Sequence, residues 1–395
     1  MSPELLPELV TEILLRLPVR SLLRFRCLST SLCTEIDSPY FIKSHLNRSI
    51  QIGTRQKLTV FNDDFMDTTD FYTADIDDDL KTASLLNNPL KSPHRCTIMC
   101  GFCNGLILLG MIRKPFLGVF LGANLTMDLA IWNPFTRRYK KLPLCPVQTL
   151  PGYKRFLSFG LGYDSALDDY KVIMISHVEE SNHDSFQVWV FSLKSNSWRR
   201  SRDVLPGEEN CTRLVVGSFA DGGLYWNSKN DILGFDLGNE VFFKIQKFND
   251  CGPTAICVNI MAVFGVNLYI PILRSEHKTI EFYLYASDKG GEIASGSWRK
   301  EFTVEEEVMI RDDVIHRLLL AYSKERKSIL LLCKENGFFW YNFENKTRQR
   351  VEIPGMPEEM LEVQTYKYHV GLESLVSLGN DSAFDGAAEE VIIDD

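Results

Sequence analysis

The chain has 395 residues, with 43 Lys and Arg against 52 Asp and Glu, so its formal net charge is −9. That balance repels a phosphate backbone and argues against general nucleic-acid binding. Hydrophobic residues make up 45%, an ordinary share for a folded soluble chain, and the length allows one small module and one large one.

The first residues carry Glu4, Glu8 and Glu12 and no long apolar core, so neither a secretory signal nor a basic transit peptide is read there. Leu5, Leu9, Ile13 and Leu17 recur at four-residue steps, and Leu6, Val10 and Leu14 widen the same stripe. Pro7 suits a first helical turn and Pro18 ends the helix. A second short helix follows through Val19, Leu22, Leu23 and Arg26, and a third over Ser29 to Ile36. Three helices of this length cannot build a large core, so part of the stripe is left for another surface.

After residue 50 the texture changes to Val, Ile, Phe, Tyr and Trp runs punctuated by Gly, Asn, Asp and Pro. One unit, an apolar strand, a polar turn and an aromatic or basic strand, recurs as "LAIWNPFTRRYKKLP", "VWVFSLKSNSWRRS", "ILGFDLGNEVFFKI", "FYLYASDKGGEIASGSWRKEFTV" and "FFWYNFENKTRQRVEIP". A second strand type precedes each: "CNGLILL", "DDYKVIMIS", "DGGLYW", "GVNLYIPI" and "KSILLLC". Spacing and content predict propeller blades, each burying its faces only against its neighbours. Residues 51–80 supply one more, for about six blades. The uncharged run Ala255–Leu273 contains Asn259, Gly265, Asn267 and Pro271 and reads as two buried strands with a turn, not a membrane span. The small acidic end, 379–395, reads as a disordered tail.

Chemistry is sparse. The ten scattered cysteines read as reduced thiols. His94, Cys96, Cys100 and Cys103 lie close together, but without the paired short spacings of a zinc site. Asp75, Asp77 and Asp79 start like a calcium loop, but Leu80 stands where its Gly belongs. "FGLGYDS" lacks the third glycine and the following helix of a dinucleotide motif. No catalytic, metal or cofactor set emerges. Trp132, Trp189, Trp226 and Trp340 read as core residues. Arg137, Arg138, Arg199, Arg200, Arg348 and Arg350 read as mostly solvated faces.

"LPELVTEILLRLPVRSLLRFRCLSTSLCTEIDSPYFIKSHL" resembles an F-box of the kind common in plants. The pieces "CNGLILL", "IWNPFTRRYKKLP", "FGLGYDSALDDYKV", "VFSLKSNSWR" and "YKYHVGLESLVSL" resemble the kelch-type F-box-associated domain that accompanies it. The family usually has Trp where Leu32 stands and often a basic residue at Thr30, and the opening Leu-Pro is one residue out of register. The resemblance implies a mainly β chain: a three-helix F-box over 1–48, a kelch-like β-propeller over 49–378 and the tail over 379–395.

It also implies a non-catalytic, cofactor-free substrate receptor that binds a SKP-type adaptor and, through it, cullin and a RING protein. Its place would be the cytoplasm or nucleus. Leu9, Ile13, Leu14, Leu17, Pro18, Leu22, Leu23, Cys27 and Leu28 are the expected adaptor contacts, and the propeller would grip an unknown protein substrate. The acidic stretch Asp63–Asp79 and the Arg-bearing turns are expected to present opposite charge to partners. Turnover of plant immune receptors is favoured over pollen self-incompatibility. The resemblance also leaves room for an F-box protein that binds the adaptor but assembles no ligase. A propeller enzyme would need convergent polar groups at the ring centre, and the sequence shows no such set.

Overall fold

A computed structural model describes residues 6–62, 70–92, 95–113, 127–146, 153–180, 183–203, 216–228, 231–247, 255–257, 262–264, 267–274, 279–287, 296–305, 321–333, 337–357, 366–379 and 382–383. His94, most of the acidic tail and part of the Asp63–Asp79 stretch lie outside them.

Four helices open the chain, where the pattern predicts three: α1 (Pro7–Leu14), α2 (Val19–Phe25), α3 (Thr30–Asp37) and α4 (Pro39–Ile52). The fourth starts cleanly, with Pro39 in its first turn and the Ser38 hydroxyl accepting the Phe41 N–H at 3.2 Å. Its inward residues are Phe41, His45, Leu46 and Ser49. Two of those four are polar, which is why hydrophobic periodicity does not reveal it.

Among the described residues, twenty-six strands follow, grouped as six blade sheets; a short parallel pairing of β8 with β12 joins the third to the fourth. The first holds β1 (Gln56–Asn62), β2 (Phe71–Asp75) and β3 (Ala83–Leu86). The second holds β4 (Arg95–Cys103), β5 (Leu106–Arg113), β6 (Asp128–Asn133) and β7 (Arg138–Lys141). The third runs β8 (Tyr153–Asp164), β9 (Asp169–Glu180), β10 (His183–Ser192), β11 (Ser197–Arg200), and the fourth β12 (Val216–Ala220), β13 (Gly223–Asn227), β14 (Asp231–Asp236), β15 (Val241–Gln246). In the fifth, β16 (Ala255–Cys257) and β17 (Ala262–Phe264) both pair with β18 (Asn267–Arg274), followed by β19 (Thr279–Ser287) and β20 (Gly296–Glu305). The sixth holds β21 (Ala321–Tyr322), β22 (Ser328–Cys333), β23 (Gly337–Asn342) and β24 (Arg348–Val351). β25 (Tyr366–Leu372) then returns to pair antiparallel with β1, completing the first sheet. β26 (Ser382–Ala383) pairs with β7, so this part of the expected disordered tail is ordered.

The sheets form a closed ring because a separate apolar cluster lies between each sheet and the next. Phe61 and Phe71 meet Ile107 and Trp132; Ile131 meets Leu161 and Phe191; Ile175 and Val190 meet Trp226 and Phe235. Tyr225 and Ile245 meet Leu268 and Ile272, and Phe282 meets Leu331 and Tyr341. Leu330 and Phe338 then meet Leu58 and Val60 of the first sheet. Alternation along β5 shows the logic: Ile107 and Leu109 face one neighbour, Leu106 and Leu108 the other. Gly160 and Gly162 of "FGLGYDS" lie in β8, where a Cβ would collide with Leu224 and Leu237, so they permit close blade packing.

The two faces of the ring differ. β4–β5 and β12–β13 are joined by Asn104–Gly105 and Asp221–Gly222, with φ of 52°, 81°, 40° and 76°, the two-residue turns that require positive φ at both central positions. This is the face on which the helices sit. Asp77, Phe135, Asp168 and Arg326, all in turns at this end, each touch the helical region or its link to β1. The long connections, between Arg113 and Asp128, Arg200 and Val216, and Glu305 and Ala321, depart from strand ends on the opposite face.

Candidate functional site

The helices bury one face and expose another. Leu14, Leu15, Val19, Leu22, Ile36 and Phe41 form a small core with Leu375, against which Leu17, Leu23, Leu32 and Phe135 pack. Leu32, in place of the family's usual Trp, therefore still fills that core from its edge. Polar contacts hold the helices in place. Thr11 donates to Glu35 at 3.2 Å, Arg26 pairs with Asp37 at 2.7 Å, and the Ser29 hydroxyl accepts the Leu32 N–H at 3.1 Å.

On the outer side, Leu6, Leu9 and Ile13 are 64%, 51% and 51% exposed, and Leu28 is 67% exposed. Six of the ten strongly exposed large hydrophobics among the described residues fall in the first 52 positions, a concentration that marks an interaction surface. Of the nine predicted adaptor contacts, Leu9, Ile13, Pro18, Cys27 and Leu28 are exposed, and Leu17 and Leu23 are half-buried. Leu14 and Leu22 are corrected: both are buried in the chain's own core, at 4% and 0% exposure, and hold the helices together. Leu6 is not among the nine, yet it stands three residues before Leu9 and thus on the same helical face, a signal the spacing did contain.

The turn between α1 and α2, at Leu15–Pro18, is held from behind by the propeller. The Arg55 guanidinium, in a residue 8% exposed, donates to Leu15 O at 2.6 Å and to the Ser49 hydroxyl at 2.5 Å. His45 Nε2 donates to Leu17 O at 2.9 Å. Glu373, just beyond β25 and 4% exposed, accepts the Val19 N–H at 3.0 Å, and its other oxygen lies 3.4 Å from Lys57 Nζ. The Glu373 N–H in turn donates to Arg55 O at 3.0 Å. Burial pushes the His45 pKa down to about 4, so the ring is neutral. Burial alone would also lower Lys57, but Glu373 and Asp75 outweigh it and raise its pKa. No sequence pattern announced this junction; "YKYHVGLESLVSL" stood out only by resemblance.

A cavity of about 1140 Å³ lies between α4 and the inner strands, lined by Ile42, Lys43, Met99, Phe102, Tyr170 and His369 among others. His369 stacks on Phe102 with ring centroids 3.5 Å apart, and burial lowers its pKa to about 3. Among the described residues no group of three or more His, Cys, Asp or Glu is arranged to hold a metal. Cys96, Cys100 and Cys103 are buried thiols; Cys96 and Cys100 point into the core between the second and third sheets, and burial pushes the Cys103 thiol pKa up. Asp75 pairs with Lys57 and Asp77 accepts the Arg55 N–H, so two of the three calcium-like aspartates serve the junction. No described helix is long and apolar enough to cross a membrane.

The architecture is that of a two-part modular protein: a short helical module with an exposed apolar face, mounted on a six-bladed ring. The F-box domain family matches residues 3–44, and the F-box associated beta propeller domain family matches residues 58–261, just over half of the 395-residue chain. The chain belongs to the F-box proteins that carry an F-box associated propeller, non-catalytic adaptors of ubiquitin ligases. It is 28% identical over 379 residues to F-box protein CPR1 of Arabidopsis thaliana, covering 89% of this chain and 84% of that one. It is 32% identical over 201 residues to F-box protein At4g22390 of the same plant, covering 49% and 45%. Among solved structures, an oligogalacturonate lyase in complex with manganese aligns at a TM-score of 0.40 and 12% identity, over 74% of this chain and 78% of that one.

Proposed function

We propose that this chain is the substrate receptor of a SKP-cullin-F-box ubiquitin ligase. The supporting observation is the exposed row Leu6, Leu9 and Ile13, with Leu28, on helices that the propeller holds rigidly. The adaptor would cover this face through Leu9, Ile13, Leu17, Pro18, Leu23, Cys27 and Leu28, and cullin and a RING protein would follow through it. In this reading the F-box is residues 1–48 and the receptor 49–378, with α4 running across that boundary to Ile52. The substrate protein would bind the ring face opposite the helices, where the long connections depart; strand ends on a rigid scaffold suit variable recognition. The chain does no bond chemistry in this reading. It raises the local concentration of a substrate lysine beside a charged conjugating enzyme, in the cytoplasm or nucleus. The finer reading, resting on the sequence resemblance alone, is turnover of plant immune receptors.

The test is adaptor capture by Leu9→Asp and Ile13→Asp variants of the full chain. A central leucine-type contact in such an interface can be worth about 2 kcal/mol, and an introduced carboxylate adds the cost of a buried charge, so each variant should weaken adaptor binding roughly 30-fold. Melting temperature should stay near that of the parent, because neither side chain supports the fold. Adaptor and cullin recovery equal to the parent's from both variants would overturn the proposal.

A further inference from the structure

Val19 opens α2, and its N–H is one of the unpaired donors of a helix start. Pro18 stands at the cap position and offers no side-chain acceptor. The acceptor comes from Glu373, 354 residues along the chain. On the other side of Pro18, the carbonyls of Leu15 and Leu17 at the end of α1 are met by Arg55 and His45. A carboxylate thus faces a helix start and a guanidinium a helix end, the favourable sense for both dipoles. Arg55 and Glu373 are joined by the Glu373 N–H to Arg55 O bond, which continues the β1–β25 pairing past Gln56↔Leu372. β25 is the strand that closes the ring. A one-residue slip of β25 on β1 would turn the Glu373 side chain to the other face of the sheet and away from Val19.

We infer that Glu373 couples ring closure to adaptor docking: only a propeller closed by β25 in register holds the α1–α2 turn in its docking shape. The inference rests on the receptor reading above. Coupling is reciprocal, so adaptor bound at the α1–α2 turn must also stabilise the β1–β25 pairing. A receptor with an open ring would then be a poor passenger for the ligase. Glu373 is a positioning residue; in this reading it never touches the adaptor.

The experiment uses the full chain with a purified SKP-type adaptor and follows amide hydrogen exchange. In the parent, adaptor should slow exchange across β1 and β25 about tenfold, although the adaptor touches neither strand. Glu373→Gln keeps the shape and removes the charge. It should bind adaptor about tenfold more weakly and lose the slowing at β1–β25. Lys43→Ala, which removes the exposed Lys43–Asp168 pair between α4 and the third sheet, should keep both. Undiminished slowing in Glu373→Gln would overturn the inference. So would adaptor binding by the parent with no slowing at β1–β25, a result that needs no variant to fold. Failure of the parent to bind adaptor at all would overturn the receptor reading itself, and the inference with it.

Discussion

His45 shows how one side chain links acidity to the junction between the helices and the ring. Its Nε2–H donates to Leu17 O, its Nδ1 is buried without a partner, and the Arg55 charge is near. Protonation would place a cation where nothing accepts it. The folded pKa, about 4, lies below the ordinary value of 6.5, and His369 is shifted the same way to about 3. The unfolded chain therefore binds more protons between these limits. Stability is complete above about pH 6.5 and is lost as pH falls toward 4, by up to ~1.4 kcal/mol per unit for each histidine. Urea unfolding at pH 7 and 5.5 should show this loss, and His45→Gln should remove about half of the slope. An unchanged slope would mean that His45 is not the neutral buried group described. The sequence did not reveal this role: a lone histidine among "FIKSHLNRS" has no distinguishing pattern. Its cysteines were easier to read, since Cys96 and Cys100 lie in core positions as scattered apolar thiols should.

The repeated element is the turn between the third and fourth strands of a blade. Asn133, Asp236 and Asn342 each end a third strand and accept the N–H groups two and three residues on. The fifth residue of the turn, Arg137, Asn196, Glu240 or Lys346, has φ between 50° and 58°. These turns were legible as polar interruptions in the aromatic repeat because Asn and Asp mimic a backbone turn with their own side chains. The basic residues after them, such as Arg199, Arg200, Arg348 and Arg350, lie on outermost strands, where charge discourages edge-to-edge pairing. Helix α4 was less legible because half of its buried face is polar. Asn133 does more than its counterparts. It is fully buried, and its amide also donates to Ser374 O at 3.1 Å and Val376 O at 3.0 Å, fastening the last segment to the β6–β7 turn. Asn133→Ala leaves two buried carbonyls and two turn amides to find other partners and should cost roughly 2–4 kcal/mol. The urea midpoint should drop with an unchanged m-value; a midpoint within experimental scatter of the parent would remove this fastening role.

At the scale of the whole molecule, the strand that follows the helices, β1, and the late strand β25 meet in one blade, and the segments flanking that pairing hold the α1–α2 turn. The six-sheet count follows from the repeats, but the closing strand lies some three hundred residues from its partner, and no local pattern pairs "YKYHVGL" with "QKLTVFN". Physical closure explains why they meet: without β25, the inner edge of β1 is bare and the first sheet, which fills the space between the sixth and second, lacks its innermost strand. The loss extends beyond hydrogen bonds. Leu375, Val376 and Leu378, which follow β25, are buried against the helical core and the second and third sheets. At about 1.5–3 kcal/mol for each such side chain, the three contribute roughly 5–9 kcal/mol, an upper range for extended-chain bookkeeping. That compares with a total stability of about 5–15 kcal/mol for an ordinary domain. A chain ended at residue 365 should therefore lose its cooperative calorimetric transition and, with Glu373 gone, its ordered α1–α2 turn. A synthetic peptide of residues 366–379 supplied in trans should restore part of both, because β25 is held by backbone pairing and three apolar anchors. A truncated chain that melts cooperatively at the parent's temperature would show that the ring does not depend on this strand.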